Sequence, residues 1–237
     1  MANAKQITLY TAKVCPYAHR VEIALNEAKA NFKSFQIDLH DKPGWYAPQV
    51  NAASKVPTIA YGGPDVPPET PSPDSTKLAE SLVLVELVAD LFPLSGILPT
   101  DPVQRAQARF FIENISTKLI PTYVGFVLRG ESYENIVQAV KTLEPLLPEL
   151  GKFAVGDQFS IADIATAPFI ARLFLSAENE FGTFEADQGA KLLAALSTPQ
   201  FAKWNAYKKL LFERPSVIAT FDKEFVKAGY AKRFPRA

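Results

Sequence analysis

The 237-residue chain holds one cysteine, Cys15, followed by Pro16-Tyr17-Ala18-His19-Arg20. Pro16 suits a first helical position, because its missing N–H would be unpaired there anyway and its φ is preset for a helix. Val21, Ala24, Leu25 and Ala28 then recur at helical spacing. A thiol at such a boundary meets unpaired backbone N–H groups and the positive end of the helix dipole, and both favour the thiolate. The small buried hydrophobe is the ordinary fate of a lone cysteine, but the order strand, short loop, Cys-Pro, helix points to a reactive group. With no second cysteine, no internal disulfide can form, and any mixed disulfide on Cys15 must be resolved by an external thiol. His19, one turn on, is a conceivable base, although its default reading is a partly exposed helix residue. His19 and His40 with a single cysteine do not make a usual zinc site, so no metal is expected. No Gly-x-Ser-x-Gly elbow accompanies a serine nucleophile.

The elements that must position Cys15 follow from the pattern around it. Gln6 to Tyr10 reads as a strand before the helix, and Phe35, Ile37 and Leu39 alternate as in a second strand over Phe32–Leu39. A turn at Asp41-Lys42-Pro43-Gly44 leads into a poorly periodic piece through Val50. Val56 to Tyr61 is a third strand carrying a proline, and the Gly62–Ser75 stretch, rich in Gly, Pro, Asp and Ser, is a long loop. A brief strand at Lys77–Ala79 precedes a helix that Glu80-Ser81 opens and that ends before Pro93. β-α-β, an irregular piece, then β-β-α predicts a four-stranded mixed sheet covered by helices, the thioredoxin-like pattern.

Residues 93–101 read as a linker, and everything from Pro102 onward is helical in period. Phe111, Ile115 and Leu119 share one face; Ile136, Val140, Leu143, Leu147 and Leu150 mark another helix, which Pro145 and Pro148 must bend or end. Phe159-Ser160-Ile161-Ala162-Asp163-Ile164 predicts a capped helix start, Asp163 reaching back to Ser160 and Phe159 packing on Ile164. The Ser160 and Asp163 pair is therefore structural rather than catalytic.

Composition narrows the function. Lys+Arg and Asp+Glu stand at 25 each, so no global field recruits nucleic acid or an anionic membrane. The most apolar run, Leu82 to Phe92, is about half a bilayer span and contains Glu86 and Asp90, which reads as a buried helix. The N-terminus lacks the apolar core of a signal peptide, and the single cysteine suits a reducing compartment, so a cytoplasmic location is expected.

The ordered set of Cys-Pro-Tyr-Ala, Val56-Pro57, Glu80-Ser81, Asp101-Pro102 and Phe159-Ser160-Ile161-Ala162-Asp163 resembles the cytosolic glutathione transferases, the Omega class above all, from about Ile7 to Tyr230. Asp38-Leu39 through Lys42-Pro43 with Trp45 fits the same family. The resemblance implies a thioredoxin-like glutathione-binding domain over 1–92, a linker over 93–101 and an all-helical domain over 102–237. It implies that Val56, before a cis-Pro57, offers its backbone to the cysteinyl part of glutathione. Ser81 and the helix start would hold the γ-glutamyl carboxylate, with Glu80 on its ammonium. Tyr17 is a further glutathione contact, and Lys42 and Lys55 are candidates for the glycine carboxylate. A hydrophobic acceptor site between the domains would use Tyr123, Val127 and Arg172. Glutathione is then the co-substrate, the assembly a homodimer, and the chemistry thiol transfer, deglutathionylation and dehydroascorbate reduction through Cys15. The alternative is a carrier of aromatic small molecules with little turnover. Conjugation to electrophiles should be slight, because a cysteine stands where other classes keep a hydroxyl donor.

Overall fold

Four short strands form one mixed sheet in the order β2-β1-β3-β4, and the computed structural model describes residues 5–235. The central strand β1 (Ile7–Thr11) is buried along its whole length. It pairs in parallel with β2 (Lys33–Gln36) and antiparallel with β3 (Thr58–Tyr61), which pairs antiparallel with β4 (Thr76–Ala79). A parallel pair needs a crossover, supplied here by α1 (Pro16–Glu27). Side chains alternate across the sheet. Tyr10 and Ala60 join Ile37, Tyr46 and Val50 in one buried cluster, with Phe35, Trp45 and Val56 packed against it. Leu9 and Ile59, fully buried, alternate to the other side, where α1 packs against α3 (Ser81–Leu91).

The poorly periodic piece contains a single turn of helix, α2 (Tyr46–Gln49), whose Tyr46 ring meets Tyr10 and Trp45 at 5.8 and 6.2 Å. The second strand is shorter than its alternation suggests. The Ile37 amide still donates to Thr11 O at 2.8 Å, but Asp38 then turns the chain through its side chain, accepting from the His40 amide at 2.9 Å. Leu39 therefore leaves the sheet for the surface. Pro57 has no N–H for the ladder, so β3 starts at Thr58, two residues later than the pattern from Val56 suggests. His19 is buried in α1, not partly exposed.

The Gly62–Ser75 loop folds back across one face of the sheet. Tyr10 donates its hydroxyl to Pro68 O at 2.8 Å, and Lys33 reaches both Asp65 and Val66 O. Lys77 holds Ser72 O and Ser75 O. At Gly63, φ is +76° and a Cβ would sit 3.0 Å from Ser75 N, so the turn admits only glycine without strain.

The chain divides into two compact units, Met1–Ser95 and Gly96–Ala237. The second is helical: α4 (Pro102–Asn114), α5 (Ile120–Arg129), α6 (Glu134–Leu143), α7 (Ile161–Glu178), α8 (Gln188–Leu196), α9 (Ala202–Glu213), α10 (Pro215–Thr220) and α11 (Lys223–Arg233). Asp101 caps α4 by accepting from the Gln104 amide at 2.8 Å. One π-turn, Ile115–Leu119, joins α4 to α5, because Pro121 cannot donate to the carbonyl of Thr117. Phe111, Ile115 and Leu119 all remain buried through it. Pro145 ends α6 in a short 3-10 turn, so Leu147 is buried while Leu150 lies at the surface.

α7 is buried from Ile161 to Ala177. At its start Ser160 accepts from the Ala162 amide at 3.3 Å, and the Asp163 carboxylate accepts from the Ser160 amide at 2.8 Å and from the Ala154 amide at 2.9 Å. Desolvation raises the Asp163 pKa, and those hydrogen bonds pull against it. Among the described residues no helix is long and apolar enough to cross a membrane.

Candidate active site

The chain leaves β1 through a tight turn in which the Cys15 amide donates to Ala12 O at 2.8 Å. Cys15 takes extended backbone angles (φ −83°, ψ 118°) as the residue preceding α1, and its carbonyl accepts from the His19 amide at 3.1 Å. As the N-cap residue Cys15 carries its side chain at the start of the helix, without a capping hydrogen bond to it. Cys15 is partly exposed and in no disulfide. Its Sγ lies 3.9 Å from Val56 O, and the Val56–Pro57 peptide is cis.

The turn that presents Val56 is braced from below. The Tyr46 hydroxyl reaches Lys55 O at 2.7 Å and Thr58 Oγ1 at 3.2 Å, and Asn51 Nδ2 donates to the same two atoms at 2.9 and 3.0 Å. Burial raises the Tyr46 pKa, so the phenol stays neutral and able to donate. Lys55 points its side chain to solvent while its carbonyl carries this network. Lys42 donates to Ser54 O at 2.6 Å, which places its ammonium beside the same turn.

A third segment meets the first two at α3. Ser81 is buried at the helix start, and Arg20 Nη1 donates to its Oγ at 3.2 Å. Arg20 is itself only 2% exposed, and its guanidinium lies 5.4 Å from the centre of the Tyr17 ring. Burial pulls the Arg20 pKa down to about 10, against the opposing pull of Tyr17 and Cys15. Glu80, just before α3, is exposed and holds φ +71°. A left-handed backbone at a non-glycine residue costs of order 1–3 kcal/mol and concentrates at ligand sites.

The structure thus gathers Cys15, Tyr17, Val56, Pro57 and Ser81 around the start of α1 through direct contacts or shared partners, with Glu80 adjoining Ser81. Chemically, the cluster combines a thiol, a strand-like backbone edge and a helix start beside a carboxylate. Tyr123, Val127 and Arg172 are buried in the second unit. The Tyr123 and Tyr230 hydroxyls pair at 2.9 Å, and Arg172 Nη1 donates to Pro168 O at 3.1 Å with its guanidinium 5.2 Å from the Phe221 ring. Val127 offers its carbonyl to the Thr183 amide at 3.0 Å. Among the described residues, no three His, Cys, Asp or Glu side chains cluster as metal ligands.

Three contributors escaped the sequence reading. Arg20 carried a signal: it falls with Ile23 and Ala24 on the buried face of α1, where a charge needs a partner. Tyr46 and Asn51 carried none, since their role depends on how α2 packs beneath a turn several residues away.

The glutathione S-transferase N-terminal domain family matches residues 9–96, and the glutathione S-transferase C-terminal domain family matches residues 121–207. Glutathione transferase Omega 1C from Trametes versicolor is 57% identical, with 97% of each chain covered and a TM-score of 0.94. Omega 2C from the same fungus is 53% identical over 98% of this chain and 100% of its own, with a TM-score of 0.93. Omega 2S, solved in complex with 2,4-dihydroxybenzophenone, is 43% identical over 96% and 98%, with a TM-score of 0.90.

Proposed function

Because the chain belongs to the glutathione S-transferase family of enzymes and is similar to its Omega-class members, we propose that Cys15 is its nucleophile in glutathione-dependent thiol transfer. The observation that carries this reading is the place of Cys15: its sulfur stands at the start of α1, 3.9 Å from the carbonyl of Val56. Leading helix amides and the nearby Arg20 both favour the thiolate there.

In the proposed cycle the Cys15 thiolate attacks the glutathionyl sulfur of a mixed disulfide. A Cys15–glutathione disulfide forms, and the former partner thiol leaves as thiolate and takes a proton. A second glutathione thiolate attacks the glutathionyl sulfur, releasing glutathione disulfide and restoring Cys15. The same attack on an acyl-methyl thioether of glutathione expels the acyl-methyl carbanion, which is protonated. Dehydroascorbate reduction belongs to the same activity. One cysteine suffices, because the resolving thiol arrives from solution.

Residues 1–92 are the glutathione-binding domain in this account, 93–101 the linker, and 102–237 the acceptor domain. Val56 offers its backbone beside Pro57, Ser81 and the α3 amides take the γ-glutamyl carboxylate, and Glu80 pairs with its ammonium. Tyr17 packs near the thiol, while Lys42 and Lys55 supply cations for the glycine carboxylate. Tyr123, Val127 and Arg172 shape the acceptor region of a protein that works as a cytoplasmic homodimer.

The benzophenone bound by the Omega 2S relative favours a second reading, a carrier that binds aromatic molecules with little turnover. Steady-state turnover of a glutathionyl disulfide separates the two. Thiol transfer that Cys15→Ser abolishes supports the enzyme; aromatic binding with negligible turnover in the unaltered chain supports the carrier.

A further inference from the structure

The second unit contains a cavity of about 270 Å3 that is lined by none of the residues assigned above, although Arg172 packs behind one of its walls. Ala171, Phe174 and Glu178 of α7 lie along one side of it, at the three- and four-residue spacing of a single helix face. Phe212 of α9, Ile218 of α10 and Phe221 close the other sides, and Lys223 stands at the opening.

The walls are aromatic and already set. Phe174 and Phe212 meet edge to face, 6.3 Å apart at 85°. The Lys208 ammonium lies 4.0 Å from the centre of the Phe174 ring, and the Arg172 guanidinium 5.2 Å from that of Phe221. Each cation therefore steadies a ring that borders the cavity. Such preset walls lower the ordering cost of a ligand. The volume lies just below the usual range of ligand pockets, which limits an occupant to one or two rings.

Charge at the rim narrows the class further. Lys223 and Glu178 face one another at 3.7 Å, both well exposed, and Lys208 adds a second cation against that one carboxylate.

We propose that this cavity is a second small-molecule site, which takes a flat aromatic acid of one or two rings. The rings lie among Phe174, Phe212 and Phe221, and the carboxylate meets Lys223 in place of Glu178. No step at Cys15 is involved, so the site stands or falls apart from the thiol chemistry.

The test is calorimetric titration of 2-naphthoate, and of uncharged 2-naphthol, into the full chain with glutathione present at saturation. One-to-one micromolar binding of the acid is expected. Ile218→Asp, at an exposed rim position, should weaken both ligands by roughly tenfold or more, and Lys223→Gln should weaken only the acid, by roughly fivefold. Both variants should keep the melting temperature and the thiol-transfer rate. Crystals soaked in a brominated naphthoate should place bromine among the three rings. Absence of binding at millimolar acid, unchanged affinity in Ile218→Asp, equal losses of acid and naphthol in Lys223→Gln, or bromine bound elsewhere would each overturn the proposal.

Discussion

Arg20→Met separates what the buried guanidinium does for the fold from what it does for the thiol. Burial pulls the Arg20 pKa down to about 10, a cost to the charged form of roughly 3 kcal/mol. The charged hydrogen bond to Ser81 returns about 1.5–3 kcal/mol. These nearly cancel, and a methionine of similar length refills the space, so the melting temperature should change by only a few degrees. The thiol loses a neighbouring positive charge, which otherwise favours its ionised form. The pH midpoint of Cys15 alkylation by iodoacetamide should then rise by about one unit, with the neutral-pH rate falling up to about tenfold. Arg20→Lys keeps a charge and should recover part of that loss. An alkylation profile in Arg20→Met that overlays the unaltered protein, with or without a loss of stability, would refute the electrostatic link.

Asp163→Ala strands the Ala154 and Ser160 amides in a buried site and should cost roughly 3–5 kcal/mol, read as a lower urea midpoint with unchanged slope. A loss below about 1 kcal/mol would mean water replaces the carboxylate there. Glu80→Gly relieves the left-handed backbone at φ +71° and should raise stability by about 1 kcal/mol. The same change should raise KM for glutathione roughly tenfold through loss of the ammonium partner. An unchanged KM would remove Glu80 from the glutathione site.

The architecture was legible because its signals are local. Pro16 starts α1, Pro93 follows α3, and Ser160 with Asp163 caps α7 as the spacing indicates. Where the reading slipped, a local side-chain turn, a distant partner or a missing donor decided the outcome. Ile37 keeps the apolar alternation yet ends the ladder, because the Asp38 side chain captures the next turn. The π-turn before Pro121 leaves the hydrophobic spacing of α4 intact while changing the backbone, so periodicity alone does not reveal it. At the candidate site, Cys15 and the Glu80-Ser81 pair stand out through residue type and position in the chain. Arg20 becomes important only once α1 packs on α3 and its guanidinium reaches Ser81, 61 residues away in sequence.

Intact-protein mass spectrometry after brief exposure to glutathione disulfide addresses the central claim most directly. The account requires one glutathionyl group per chain, located by peptide mapping on Cys15, formed at neutral pH and discharged by added reduced glutathione. A protein that turns over glutathionyl substrates while Cys15 never carries the group, or whose Cys15→Ser form exchanges at the same rate, would contradict it.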